Sequence, residues 1–214
     1  MKVYEFEQHD MQGNPNPDWL AVRAGKFTGS DFSVMLKKGI TRDKMILQKA
    51  TEHILKRPCS VDRYVSADML RGIELEPQVR EIYKFISGNE VKEVGFIERD
   101  EFSGVSPDGL IGEDGLLEIK CPKDIIFVEQ CVYDTIKPEY YTQIQYALYI
   151  TGRIWCDYIA YNESFEPFIK RFERDEEHIK EIETALEYGI EQTKKIITEF
   201  RNKREENGAS VENS

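Results

Sequence analysis

The spacing of apolar and polar positions divides the chain into a mostly helical first half, a strand-rich centre and a helical end. After a short extended N-terminus, Pro17-Asp18 opens a helix carrying Trp19, Leu20 and Val22. Proline suits a first helical position because the amide it lacks has no partner there. Thr28-Gly29-Ser30-Asp31 reads as the cap of the next helix. A threonine with an acid three residues later has the capping-box spacing, here with Asp in place of the usual Glu or Gln. Helical spacing predicts further helices over residues 46–55 and 67–87, the second stopped by Gly88-Asn89.

The period then shortens. Residues 91–98, 104–105 and 115–120 are short extended runs separated by Gly and Asp turns, and they predict strands. A helix over 140–151, ended by Gly152, strands over 154–161 and 165–172, and a long helix over about 176–201 complete the pattern. The tail 205–214 is polar, contains Gly and Ser, and is expected to fray. No internal repeat interrupts this order. A chain of 214 residues, 40% hydrophobic, buries one real core, so residues 1–204 are expected to form a single domain. The expected fold class is α/β, a central mixed β-sheet flanked by helices.

Composition narrows the function classes. No apolar stretch is long enough to span a bilayer, and Met1-Lys2-Val3-Tyr4-Glu5-Phe6-Glu7 lacks the apolar run of a signal peptide. A cytoplasmic protein with no membrane partner is therefore expected. Cys59, Cys121, Cys131 and Cys156 form no Cys-x-x-Cys pair, so reduced thiols are expected rather than zinc ligands or disulfides. The net charge of −11 counts against a broad nucleic-acid surface. Its distribution matters more: residues 37–63 hold eight basic residues against three acidic ones, and the sign reverses from Glu173 onward. The basic stretch is either a phosphate-facing surface or an ordinary exposed helix, and the acidic end is a solvated helical face.

The candidate chemistry lies in the strand-rich centre. Asp108 stands between Pro107 and Gly109, which places its carboxylate on a turn. Ten residues on, Glu118 and Lys120 lie two apart on a strand, so both point to one face while Leu117 and Ile119 point to the other. A hairpin through Gly112-Glu113-Asp114-Gly115 brings Asp108 beside Glu118. Two converging carboxylates repel unless a cation lies between them, and hard oxygen ligands select Mg2+, with Mn2+ as a substitute. One or two ions fit this reading, with the Ile119 carbonyl as a further ligand and Lys120 positioning or helping deprotonate an attacking water. The plainer reading is a turn followed by a polar strand face. Against it stands the lysine, which lies on the apolar-flanked strand Leu116-Leu117-Glu118-Ile119-Lys120, where a charge needs a reason.

Gly104-Val105-Ser106-Pro107-Asp108-Gly109-Leu110, followed by Leu117-Glu118-Ile119-Lys120-Cys121-Pro122, resembles the lambda exonuclease family of phage recombination nucleases, the YqaJ-type viral recombinases, within the PD-(D/E)xK group. Three more segments agree in order. Trp19 with Arg23-Ala24-Gly25-Lys26-Phe27-Thr28-Gly29-Ser30 resembles the N-terminal motif, Gly72-Ile73-Glu74-Leu75-Glu76 with Arg80 the helical glutamate motif, and Tyr140-Tyr141-Thr142-Gln143-Ile144-Gln145-Tyr146 the Tyr/Gln helix. The match spans about residues 19–160. Val79 stands where the family more often has a small residue, and neither residues 37–63 nor those after about 174 match any motif.

The resemblance implies a PD-(D/E)xK nuclease core and a metal-dependent exonuclease that degrades one strand of linear duplex DNA from 5′ to 3′, leaving 3′ overhangs for recombination. It implies that Arg23 and Ser30 hold the terminal 5′-phosphate, with Thr28 and Ser106 as further DNA contacts. Glu76 rather than Glu74 would add a carboxylate from its helix, while Gln143 and Tyr140, one turn apart, would position the water or scissile phosphate. A homotrimeric ring around DNA and a single-strand annealing protein as partner are implied in the same way. An endonuclease of the same group would share Asp108, Glu118 and Lys120 without needing Arg23. A non-catalytic DNA-binding subunit on this fold would normally have lost one of those three. Scattered cysteines count against the iron–sulfur exonucleases.

Overall fold

The computed structural model describes residues 1–10, 13–59 and 66–211, with side chains to residue 206. Arg63 of the basic stretch and the end of the tail, residues 212–214, lie outside the described residues. The first half holds β1 (Lys2–Tyr4), α1 (Pro17–Arg23), a 3-10 turn (Gly29–Asp31), α2 (Phe32–Met35), α3 (Ile40–Leu55) and α4 (Ala67–Ser87). The centre holds β2 (Val91–Lys92), β3 (Phe96–Glu98), β4 (Gly104–Val105), β5 (Gly109–Ile111) and β6 (Gly115–Lys120). Then come α5 (Asp124–Tyr133), α6 (Pro138–Thr151), β7 (Trp155–Ala160), β8 (Phe168–Glu173) and α7 (Glu176–Val211).

The main sheet has the order β2-β5-β6-β7-β8. Only β6 and β7 run parallel, because the chain returns between them through α5 and α6, the kind of crossover a parallel pair requires. A smaller antiparallel sheet, β1-β3-β4, lies beside it. The mixed sheet flanked by helices agrees with the expected fold class. Both of its faces are covered. Leu117, Ile119 and Ile159 pack with Val79 and Tyr83 of α4, whereas Leu116, Cys156 and Tyr158 join Phe32, Ile144, Leu148 and Ile182 in the larger core. Val79 is fully buried there, between α4 and the sheet.

Most elements lie where the periodicity placed them. Helix α4 starts on the Ser66 cap and stops at Gly88 (φ 69°), and α6 stops at Gly152 (φ 71°), both glycines taking the left-handed conformation that ends helices. Helix α5 had no legible stripe: Phe127 and Gln130 are buried while Ile125, Val132 and Tyr133 stay exposed. Strand β5 is three residues long and too short to show a period. Helix α3 begins at Ile40, and α7 continues past Arg201 into the polar tail.

One polar group is built into the sheet's centre. Asp157 on β7, 5% exposed, accepts the Tyr83 hydroxyl at 2.6 Å and a two-pronged bond from Arg171 at 2.7 and 2.8 Å. Burial, then the bond to Asp157, pushes the Tyr83 phenol up to about 12. Its unfolded value is about 10. Folding therefore favours the neutral phenol, and this stabilisation is complete below pH about 10 and lost as pH rises toward about 12. In thermal melts, Tyr83→Phe is expected to lower Tm at neutral pH by the loss of the bond donated to Asp157 and the weaker one accepted from Asn89, about 1–2 kcal/mol together. It should also shrink the fall in Tm across that alkaline window.

Candidate active site

Asp108 lies immediately before β5, and the register Gly109↔Leu117 sets it opposite Glu118, as the hairpin expectation required. Its Oδ2 accepts the Ile119 amide at 2.6 Å, which ties the turn to the strand. Gly109 is needed for this closure: a Cβ there would come within 2.3 Å of the Val91 side chain. Glu118 and Lys120 share the face of β6 opposite Leu117 and Ile119, and the Lys120 ammonium donates to the Glu118 carboxylate. It also reaches the Ile119 carbonyl at 3.2 Å and sits 5.4 Å from the centre of the Tyr140 ring.

Helix α4 brings the third carboxylate. Glu76 faces the site while Glu74 is exposed and turned away, the choice that the family resemblance implied. Arg80, one turn on, holds the Glu76 carboxylate at 2.6 Å. Burial first, then the charge of Asp108, lifts the Glu76 carboxyl well above the usual carboxylate range, although Arg80 pulls against this. Glu118 is lifted in the same way by burial and Asp108, with Lys120 opposing. Burial disfavours the Lys120 ammonium, but the Glu118 and Asp108 carboxylates outweigh it and hold its pKa above the ordinary lysine value. Three acids thus crowd one another, and the nearest cations only partly relieve them.

A cleft of about 680 Å³ joins this corner to the N-terminal motif. Glu76, Asp108, Ile119, Lys120, Tyr140 and Gln143 line it, and so do Arg23, Ser30 and Ser106. The Ser106 hydroxyl accepts both the Trp19 indole N–H and an Arg23 N–H, each at 2.9 Å, and the guanidinium stacks over the indole ring at 4.3 Å. Arg23 is thereby held at the wall. Ser30 is exposed on the 3-10 turn, whose neighbour Gly29 leaves room for Gln143: a Cβ there would lie 3.0 Å from its Cγ.

Thr28 is not on the wall. It is 4% exposed, and the Asp31 carboxylate accepts its N–H at 2.8 Å and its hydroxyl at 3.1 Å, the capping geometry its spacing predicted. Lys49 of the basic stretch is also turned inward, paired with Asp31 at 2.9 Å. The cleft has wall residues that motif reading did not single out. Lys137 was within reach, as the N-cap of α6 three residues before Tyr140; His9 was not, because only tertiary packing brings it against Trp19, ring centres 5.2 Å apart. Burial, then the Arg23 charge, holds the His9 imidazole below its ordinary value.

Among the described residues no trio of His, Cys, Asp and Glu side chains is closed into a ready-made metal cage. The donor set still fits a hard divalent cation: the Asp108 and Glu118 carboxylates face each other across β5 and β6, and the Ile119 carbonyl lies at the cleft wall. Glu76 and Glu118, both raised by burial and then by the charge of Asp108, belong to a corner that a bound cation would relieve.

A family model described as the YqaJ-like viral recombinase domain matches residues 18–154, a span that contains the site residues from Trp19 to Gln143 but not His9. The chain belongs to this family. Its fold is similar to an alkaline exonuclease (LHK-Exo) from Laribacter hongkongensis, solved alone and in complex with dAMP, with 33% identity and TM-score 0.81. That match covers 89% of this chain and 99% of the other. A phage-related exonuclease from Haemophilus somnus 129PT shares the fold at TM-score 0.62 and 16% identity, over 82% of this chain and 96% of that one. No curated protein matches. The lambda-exonuclease resemblance therefore holds, and in this chain Arg23 and Ser30 of the N-terminal motif, Glu76 of the helical glutamate motif, Asp108 and Lys120 line one cleft.

Ser106→Ala removes the acceptor shared by Trp19 and Arg23, leaving a largely buried indole N–H unpaired. A loss of about 1–2 kcal/mol is expected in urea unfolding, with an unchanged m-value. Stability equal to the parent protein would show that neither bond holds the wall.

Proposed function

We propose that the chain is a Mg2+-dependent exonuclease that enters linear duplex DNA at a 5′-phosphorylated end and degrades that strand from 5′ to 3′, leaving 3′ overhangs for recombination by strand annealing. The observation that carries this reading is the shared cleft: the Arg23, Ser30 and Ser106 wall and the Asp108 and Lys120 side of the corner open into the same space, with Glu118 buried behind and paired with Lys120. An arginine and a hydroxyl suit a terminal phosphate dianion, and an enzyme cutting within a duplex has no need for them. The relative solved with dAMP accommodates a nucleotide of the kind such cutting releases.

Asp108, Glu118 and the Ile119 carbonyl would hold one or two Mg2+ ions, with Mn2+ as substitute. When bound, the metal supplies an activated water and neutralises charge developing on the phosphate. Lys120, whose charge the neighbouring carboxylates favour, orients that water as a donor. Glu76 adds negative charge from α4, and Gln143 and Tyr140 present an amide and a hydroxyl to the water or the scissile phosphate. Lambda exonuclease relatives imply a ring-shaped homotrimer and an annealing protein as partner, and we extend both to this chain. No helix of the described residues is long and apolar enough to cross a membrane. We place its work on DNA in the host cytoplasm.

Linear duplexes with 5′-phosphate or 5′-hydroxyl ends, incubated with Mg2+ beside a covalently closed circle, test the reading. The phosphorylated duplex should be degraded fastest and the circle left whole. Cutting of the circle would instead identify an endonuclease, and indifference to the end group would remove Arg23 from its role. Lys120→Ala should slow cleavage about 100-fold or more, the scale of a lost preorganised hydrogen-bond donor, while end binding in gel shifts changes little. Undiminished turnover by that variant would place the chemistry elsewhere, or show the nuclease activity to come from a contaminant if Asp108→Asn is equally active.

A further inference from the structure

Arg80 contacts the corner from behind. It does not line the cleft, is 5% exposed, and donates from three nitrogens to three separate segments. Nη2 reaches Glu76 at 2.6 Å, Nη1 reaches Glu93 in the turn between β2 and β3 at 2.8 Å, and Nε reaches the main-chain carbonyl of Asp108 at 3.1 Å. Two of the three acceptors belong to acids of the site. The third, Glu93, is about half exposed and anchors the guanidinium from outside.

We propose that Arg80 is the positioning residue of the metal site: its fork sets the direction of the Glu76 carboxylate and the peptide plane of Asp108, pre-aiming both acids. This rests on the metal-dependent reading above. The three acceptors lie in directions that a planar guanidinium meets at once, whereas a lysine ammonium is a point charge on a flexible stem and cannot span them. Carboxylates that repel one another would otherwise rotate apart, at a cost recovered only when a cation arrives. Groups that orient metal ligands from outside typically change metal affinity about 10- to 100-fold when lost. Arg80 touches neither the substrate space nor a reacting atom, so its effect must pass through Glu76 and Asp108.

Calorimetric titration of Mn2+ into the DNA-free protein, alongside Tm, separates this from a merely structural ion pair. Arg80→Lys is expected to bind Mn2+ about 10-fold more weakly or worse. Glu93→Gln, which loosens the outer anchor at an exposed position, should show a smaller loss. Affinity for a 5′-phosphorylated duplex end in EDTA should stay at the wild-type value in both. A lowered Tm with unchanged Mn2+ affinity overturns the proposal. Should Arg80→Lys fail to fold, Glu93→Gln decides alone, and wild-type Mn2+ affinity there overturns it. Wild-type protein that neither binds Mn2+ nor cuts DNA removes the metal reading and this role together. Wild-type protein that binds Mn2+, with both variants matching it, removes the role of Arg80 only.

Discussion

Glu76, Asp108 and Glu118 come from a helix, a turn and a strand into one poorly solvated corner, and their repulsion is the constraint around which the neighbouring structure is arranged. Each acid is restrained by a different kind of partner. The Ile119 amide holds Asp108, the Lys120 ammonium holds Glu118, and the Arg80 guanidinium holds Glu76. None of these partners removes the excess negative charge. A corner so restrained, yet still short of positive charge, is suited to a divalent cation and to the phosphate that cation would attract.

The same corner depends on a long-range clamp. The Tyr146 hydroxyl of α6 donates to the Phe27 carbonyl at 2.7 Å, with the Gly104 carbonyl at 3.3 Å, while the Phe27 amide bonds the Phe102 carbonyl at 2.8 Å. The N-terminal motif is thus laid along the strand that leads to Ser106 and Asp108. Because Tyr140 and Gln143 stand on the same helix as Tyr146, one rigid element fixes the distance between the Arg23 wall and the carboxylates. Precision of this kind is what positioning a phosphate requires.

How much of this was legible follows from the range of each signal. Local rules placed the α1 start, the Thr28–Asp31 cap and the glycine stops of α4 and α6, because those signals act within four residues. Period two placed Glu118 and Lys120 on one face, and the Gly112–Gly115 turn brought Asp108 opposite them. Thr28 was ranked with the phosphate contacts on its motif position, yet its side chain serves the cap. Arg80 was visible as part of a motif, but its three acceptors lie at residues 76, 93 and 108, which no local pattern connects. His9 and helix α5 were illegible for the same reason. Their places are set by tertiary packing rather than by spacing.

Charge distribution bears on how an acidic chain holds DNA. The basic stretch offered eight cations, but Lys49 is paired with Asp31 and Arg42 stacks on Tyr188 at 4.3 Å, so part of it braces α3 against its neighbours. Helix α7, against which α3 packs, carries the acidic end of the chain. What remains on the cleft wall is a short row: Arg23, Lys120, Lys123 and Lys137, with Lys123 itself bridged to Asp68 at 2.7 Å. Few phosphates can be neutralised at once by so few cations, so the electrostatic share of the grip in a single chain is small. On the function proposed above, a tight grip on the end and a loose one on the flanking duplex would let the enzyme advance, with the proposed ring rather than surface charge keeping the duplex from leaving.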